Sequence, residues 1–223
     1  MLRLFLPLFV LFAGSVCVAQ VRVPHLVGDG MVLQRDKPVR VWGFGSPGEK
    51  VTVRFAGESA EGVTGDNGVW AVVLGPKKAG GPYTMDIDGI NHIWLKNILV
   101  GDVWICAGGE KMALPLGKVT DTDLVAHAGD IPVREFRVPL RYEFKAPRQN
   151  VTGHWEAVTP ETASPMSAIG WLFAREVYAK YHVPIGLIEV CAPDAPAEAW
   201  LSPGALRHFP EYASVADRYA DSV

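Results

Sequence analysis

The sequence predicts an α/β protein with an accessory β domain, in which an N-terminal β-sandwich precedes a partial parallel α/β domain. Three observations lead there. Residues 21–98 are short alternating segments separated by turn residues. Residues 98–109, ILVGDVWICAGG, are a continuous apolar run. Residues 166–181, MSAIGWLFAREVYAKY, have helical spacing and lead into a second apolar run, VPIGLIEVCA.

The first nineteen residues, MLRLFLPLFVLFAGSVCVA, place one early positive charge, Arg3, before an apolar stretch and end in small residues. This is the layout of a secretory signal peptide cut after Ala19. The apolar stretch is shorter than the roughly 20 residues that a membrane-spanning helix needs. The rest of the 223-residue chain allows one domain or two small ones. A formal charge of −3 and the lack of a basic run give no footing for nucleic acid or an anionic membrane surface. Beyond the leader only Cys106 and Cys191 remain. Export permits a disulfide between them, and free buried thiols are equally compatible with the sequence.

The accessory domain is assigned to residues 20–97. In KVTVRFAG, Val51, Val53 and Phe55 alternate with Thr52 and Arg54. In YTMDIDG, Tyr83, Met85 and Ile87 alternate with Thr84, Asp86 and Asp88. Period-two patterning of this kind marks half-buried strands. The breaks SPGE, GDNG, KKAGGP and DGIN supply turn chemistry, and short strands at this spacing predict a small β-sandwich.

The α/β domain is assigned to residues 98–223. The continuous run ending at Gly109 reads as a strand buried on both faces of a parallel sheet. Residues 115–165 offer one strand candidate, VREFRVP, within a long irregular crossover. In the helix that follows, Ile169, Leu172, Phe173 and Val177 are expected to face the core, with Ser164 or Ser167 as the cap and Pro184 beyond the end. Strand, helix and strand make a βαβ unit, whose crossover is right-handed. A further short helix is expected in PGALRHF.

The segment GDVWICAGGEKMALPL raises a chemical question, because a strand runs into Gly108 and Gly109 and no hydroxyl or thiol nucleophile follows. Glu110 and Lys111 stand there instead. If the two parallel strands end on the same side, Glu110 and Asp194 lie near one another where such folds bind ligands. Facing carboxylates could serve a glycosidase or ligate a cation, and they are equally what an unconstrained exposed surface would carry. Lys111 beside Glu110 reads most simply as a neutralised surface pair. Gly108 and Gly109 suit either an anion-binding nest or a tight strand-to-helix turn. Core packing is the expectation for most of Trp42, Trp70, Trp94, Trp104, Trp155, Trp171 and Trp200. Trp200 is the exception, as a candidate sugar-stacking surface. No cofactor or metal is implied. An Asn-x-Thr sequon begins at Asn150.

HLVGDGMVLQRDKPVRVWGFGSPGEKVTVRF, KKAGGPYTMDI, ILVGDVWICAGG, MSAIGWLFAREV and VPIGLIEVCAPDAPAEAW resemble successive landmarks of the sialate O-acetylesterase family. These are secreted carbohydrate esterases with an SGNH-type hydrolase fold and an accessory β domain. The resemblance runs over about residues 24–202. It implies a Cys-Ser-Gly-Gln-Ser-Asn-Met motif whose second Ser is the nucleophile. Cys106, Gly108 and Met112 agree with that motif, whereas Ala107, Gly109, Glu110 and Lys111 depart from it, so Glu110 holds the nucleophile position.

A second landmark, Ser-Ser-Trp-Gly-Gly-Thr before Pro-Ala-Glu-Ala-Trp, reads here Val190, Cys191, Ala192, Pro193, Asp194, Ala195, and only Pro196 to Trp200 match. Pro193 has no N–H to offer an oxyanion, and Asp194 would repel one. The family's Asn block and Asp-x-x-His pair lie beyond the point where this chain stops, and none of its six histidines has an Asp three residues before it. The resemblance therefore implies a secreted or periplasmic, catalytically inactive, degenerate and C-terminally truncated member, associated with O-acetylated sialic acid or other glycans. Gly108, Gly109, Lys111, Asp194, Glu198 and Trp200 are its candidate pocket residues. Two alternatives stand beside it. One is an active carbohydrate O-acetyl esterase completed by a second chain carrying the missing blocks. The other is a β-domain adhesion or assembly module. No membrane partner is expected once the leader is removed.

Overall fold

The computed structural model describes residues 20–121, 123–141 and 148–214. The expected signal peptide, with Cys17, lies outside them.

Among the described residues, ten strands and three short or medium helices follow one another in the order β1 (Val32–Gln34), β2 (Val39–Phe44), β3 (Lys50–Phe55), β4 (Glu58–Val63), β5 (Val69–Leu74), β6 (Gly80–Asp88), β7 (His92–Gly108), α1 (Asp123–Ala126), β8 (Val133–Val138), β9 (Trp155–Ala157), α2 (Ala168–Tyr181), β10 (Ile185–Cys191) and α3 (Pro203–Leu206). One large sheet has the order β4-β3-β6-β7-β10-β8-β9, with β1 also paired to β7. Strands β2 and β5 form a separate antiparallel pair.

Alternation decides the first half. Val51, Val53 and Phe55 of β3 and Met85 and Ile87 of β6 are buried, and they meet Val39, Val41, Trp70, Val72 and Leu74 of the β2–β5 pair in one core. Phe55 and Tyr83 pack edge to face with ring centroids 5.6 Å apart. Where β4 passes β5, a Cβ on Gly62 would lie 2.8 Å from the Ala71 carbonyl oxygen, so the close approach requires glycine there.

β7 is the long element of the molecule. Its first half pairs antiparallel with β6 and its second half parallel with β10, in register from Asp102↔Ile185 to Gly108↔Cys191. The expected change of character after Asn97 therefore falls inside one strand. Asn97 marks the place with a left-handed φ of 57°.

The second half differs from expectation in two respects. The expected strand VREFRVP forms as β8, but it joins the sheet as a third parallel strand beside β10, and β9 adds an antiparallel edge. The core-facing side of α2 also differs, because Ala168, Gly170, Trp171 and Ala174 are buried while Ile169 and Phe173 are 45% and 40% exposed. Small residues let α2 lie close to the sheet, where a Cβ on Gly170 would sit 3.3 Å from Cys106 Sγ; Trp171 is buried, the expected Leu172 and Val177 pack against the same core, and Ile169 and Phe173 are turned outward. Ser167 caps α2, its Oγ accepting from the Gly170 N–H at 3.0 Å. His182 ends α2 in the left-handed conformation.

The outward edge of β7 beyond Gly101 pairs with no strand among the described residues; Trp104 and Ile105 are exposed there, Trp104 packing edge to face on Phe173. Core packing thus holds for Trp70, Trp155 and Trp171. Trp94 and Trp104 are surface residues, Trp94 lying under the Lys96 ammonium at 4.1 Å. Among the described residues no helix is long and apolar enough to cross a membrane.

Candidate functional site

The ends of β7 and β10 bring the two departed motifs together. After Gly108 the chain makes one helical turn, in which the Met112 and Ala113 amides donate to the Gly109 carbonyl at 3.1 and 3.2 Å and the Leu114 amide to that of Lys111 at 3.3 Å. Beside it, the Ala192 amide donates to the Gly108 carbonyl at 2.9 Å, and the Ala195 amide closes a turn onto Ala192. Asp194 lies in that second turn at φ 61°. A Cβ on Gly109 would lie 3.9 Å from the Ala192 carbonyl oxygen, which makes the two turns neighbours.

None of residues 108–112 takes a positive φ, so the left-handed step of an anion-binding nest is not formed. At Gly108 the requirement is space, since a Cβ there would sit 3.0 Å from Met112 Cβ. Glu110, Lys111 and Asp194 are all exposed, and among the described residues no ion pair joins Glu110 to Lys111. The neutralised surface pair is therefore not made. Exposure to water explains it, because two flexible side chains gain little from being held together there.

The remaining candidates lie after β10. Glu198 and Trp200 belong to a 3-10 turn, Ala197–Trp200. The Glu198 carboxylate accepts a hydrogen bond from the Tyr212 hydroxyl, which holds its pKa below the usual range. Trp200 is 42% exposed and borders an open cleft of about 200 Å³ with Val138, Leu140, Val190 and Ala192. Four of the six described histidines have side-chain partners away from the 109–114 turn: His25 with Asn150, His92 with Asp86 and Asp88, His127 with Asp130, and His182 with the Tyr178 carbonyl.

Beneath that turn lies a feature that the sequence reading missed. Glu135 and Arg137 of β8 and Glu189 of β10 project to the face covered by the start of α2. Arg137 donates to Glu135 at 2.6 Å and to Glu189 at 3.3 Å, and a further guanidinium hydrogen reaches the Pro165 carbonyl at 2.8 Å. Both glutamate side chains are only 8% exposed. Burial, then the hydrogen bond with Glu189, pushes the Glu135 carboxyl up to about 7, while Arg137 pulls the other way. The signal available was VREFRV itself, in which charged residues recur at positions where a buried strand should be apolar.

Cys106 and Cys191 are free thiols. Burial first, then the nearby glutamates, raises Cys106 to about 11 and Cys191 to about 12, so both stay protonated at neutral pH and are poor nucleophiles. Among the described residues no cluster of His, Cys, Asp and Glu could hold a metal ion.

A scan against protein-family models finds no match. The chain is 32% identical to human sialate O-acetylesterase, over 92% of this chain and 43% of that protein. It is 31% identical to the rat sialate O-acetylesterase, over 83% of this chain and 38% of that one. A solved structure of a carbohydrate acetylesterase from Xanthomonas citri superposes with a TM-score of 0.80 at 35% identity, covering 90% of this chain and 45% of that chain. The chain thus spans less than half the length of each of these relatives. By its sequence landmarks and by its arrangement of mixed sheet and helices, it belongs to the sialate O-acetylesterase family.

Proposed function

We propose that this chain is a secreted, glycan-associated member of its family in which the scaffold of the esterase site is kept and the chemistry of ester hydrolysis is gone. The observation that carries this reading is the pair of neighbouring turns. One presents Glu110 where a serine nucleophile would stand, and the other presents Pro193 and Asp194 where oxyanion donors would be needed. A carboxylate attacking an ester would give a mixed anhydride. Neither Pro193, which lacks an N–H, nor the negative Asp194 can stabilise the developing oxygen charge. Nucleophile, base and oxyanion donors act as a unit, so losing two of them together removes orders of magnitude in rate.

The expected result is that the purified protein releases no acetate above the buffer rate from O-acetylated sialic acid or a chromogenic acetate ester. Glu110→Ser alone leaves it inactive, because the Pro193–Asp194 turn is unchanged. Robust turnover that disappears in Glu110→Gln would overturn the reading. Glycan association rests on Trp200, whose exposed ring borders the cleft next to the Ala192 turn. Calorimetric titration with O-acetylated sialic acid is expected to show weak binding that Trp200→Ala reduces about tenfold or more, roughly the worth of one aromatic stacking contact. No heat of binding to the wild type would remove the glycan-associated part.

A second reading, an esterase completed by further polypeptide, is favoured by the bare edge of β7 with exposed Trp104, Ile105 and Phe173. Under it, activity arises only when such a polypeptide is added, and Ile105→Lys abolishes the activity by placing a charge in the seam.

A further inference from the structure

A second cleft, of about 300 Å³, opens between α1 and α2 and shares no lining residue with the one beside Trp200. Asp123 and Leu124 of α1, His127, Asp130 and Ile131 after it, and Trp171 and Arg175 of α2 line it. Trp171 is 2% exposed, yet its indole Nε1–H has no acceptor among the described residues. A buried donor without a partner is costly, and the large majority of buried polar groups in folded proteins have one. The Arg175 guanidinium lies over the same ring, 5.4 Å from its centroid. Its side chain is 44% exposed, and what holds it there is its exposed neighbour Glu176, whose Oε1 accepts from Nη2 at 3.2 Å and from Nε at 3.3 Å. An exposed pair of this kind is weak, so Arg175 can shift off the ring at little cost.

Donors and acceptors meet around this cleft. His127 Nδ1 lies 3.1 Å from Asp130 Oδ2. A carboxylate only accepts, so Nδ1 carries the hydrogen, and in the neutral ring Nε2 is left as an acceptor. Asp123 and Asp130 bring carboxylate oxygens, while Trp171 and Arg175 bring only donors. An anion would be repelled by the two carboxylates. A cation would be repelled by Arg175 and would offer the Trp171 N–H nothing to donate to. Among the described residues no cluster suits a metal ion. A hydroxyl group both donates and accepts, so a neutral molecule carrying several of them satisfies both sets without bringing a charge. Leu124, Ile131 and Trp171 supply the apolar surface on which the C–H face of a sugar ring can rest.

We propose that the cleft between α1 and α2 is a binding site for a neutral pyranose sugar, with Trp171 and Arg175 donating to its hydroxyls and Asp123 and His127 accepting from them. Arg175 shifts off the indole ring as the sugar enters, and the Trp171 N–H gains the acceptor that it lacks. The site stands apart from the 109–114 turn and from Trp200. Binding here and binding at Trp200 can therefore fail separately, and neither depends on ester hydrolysis.

Nitrogen–proton NMR of the whole protein, titrated in turn with millimolar glucose, galactose, mannose and N-acetylglucosamine, tests it. At least one of these sugars is expected to move the Trp171 indole N–H resonance downfield and to slow its hydrogen exchange. Trp171→Phe identifies that resonance by its loss; should the variant not fold, the resonance is assigned through its own ring and backbone protons. Calorimetry with the same sugar is expected to show affinity reduced about tenfold or more in Asp123→Ala and in Arg175→Met, roughly the worth of one hydrogen bond to a charged group. Both side chains lie at the surface, so these variants should fold as the wild type does. Trp200→Ala should leave this affinity unchanged. No movement of the Trp171 resonance with any of the four sugars would overturn the proposal, as would wild-type affinity in both surface variants. Acetate or methylammonium moving that resonance further than the sugars do would assign the cleft to a charged ligand and overturn it as well.

Discussion

Gly101→Ala is expected to cost more than about 4 kcal/mol and to leave little folded protein at room temperature, out of a total stability on the order of 5–15 kcal/mol. A Cβ at this position would lie 1.9 Å from the Pro184 carbonyl oxygen and 2.6 Å from its carbon. Both obstacles are backbone, and that backbone is committed: the Pro184 carbonyl accepts from the Asp102 amide at 2.9 Å, opening the parallel ladder of β10 on β7, while the Gly101 carbonyl accepts from Arg35 N at 2.8 Å. Relief would require moving β10 off β7 just where their pairing begins. Gly108→Ala is the contrasting case. Its new methyl meets only Met112, whose Cβ at 3.0 Å would have to shift with its turn by a few tenths of an ångström, so the cost is expected to stay within about 1–3 kcal/mol, the range of overpacking. Urea melts of the two variants should separate clearly, and similar midpoints would show that the β7–β10 junction is far more yielding than its spacing indicates.

Arg134→Met is expected to cost about 3–5 kcal/mol, the range for leaving buried polar partners of a charged group unsatisfied. Arg134 is buried, and its guanidinium donates to the Gly30 carbonyl at 2.9 Å, the Asn97 carbonyl at 2.9 Å and Asn97 Oδ1 at 2.8 Å. Desolvation lowers its pKa, and the hydrogen bonds it makes go to uncharged oxygens. Methionine fills the same space and leaves those acceptors without donors. Arg134→Lys keeps the charge but offers a single point where a fork spans two residues, so it should recover only part of the loss. Thermal melts at constant pH, with both variants side by side, check the order wild type, Lys, Met. Equal stability of Lys and Met would show that the fork geometry contributes nothing.

These two residues also show what the sequence revealed and what it concealed. The alternation of Val51, Val53 and Phe55, and of Met85 and Ile87, was legible because one face of a strand meets the core and the other meets water. The apolar run of β10 was legible for the opposite reason, since both faces are covered over much of its length; that of β7 is covered only over Ile98–Gly101 and at Cys106, and its Trp104 and Ile105 are exposed. Strand β8 was only half legible. Arg134 and Glu135 are buried there alongside Val133 and Phe136, and no hydropathy pattern distinguishes a buried, bonded charge from a solvated one. The α2 face was half right: Leu172 and Val177 pack on the core, while Ile169 and Phe173 are displaced outward because the helix approaches closely through Ala168, Gly170 and Ala174 beside the buried Trp171.

The candidate site was read more directly. Glu110, Pro193 and Asp194 stood out against a family pattern, and the structure places their two turns side by side. The carboxyl pair below them did not stand out, because its members come from separate strands and nothing local in the sequence joins Glu135 to Glu189.

The continuity of β7 through Asn97 has a mechanical consequence. A load applied to the β-rich half would pass to the α/β half along one covalent strand held by ladders at both ends, with no linker to stretch first. The two halves should therefore yield together, in one calorimetric transition. Dividing the gene at this point would break a strand in its middle, and neither piece would keep its edge covered.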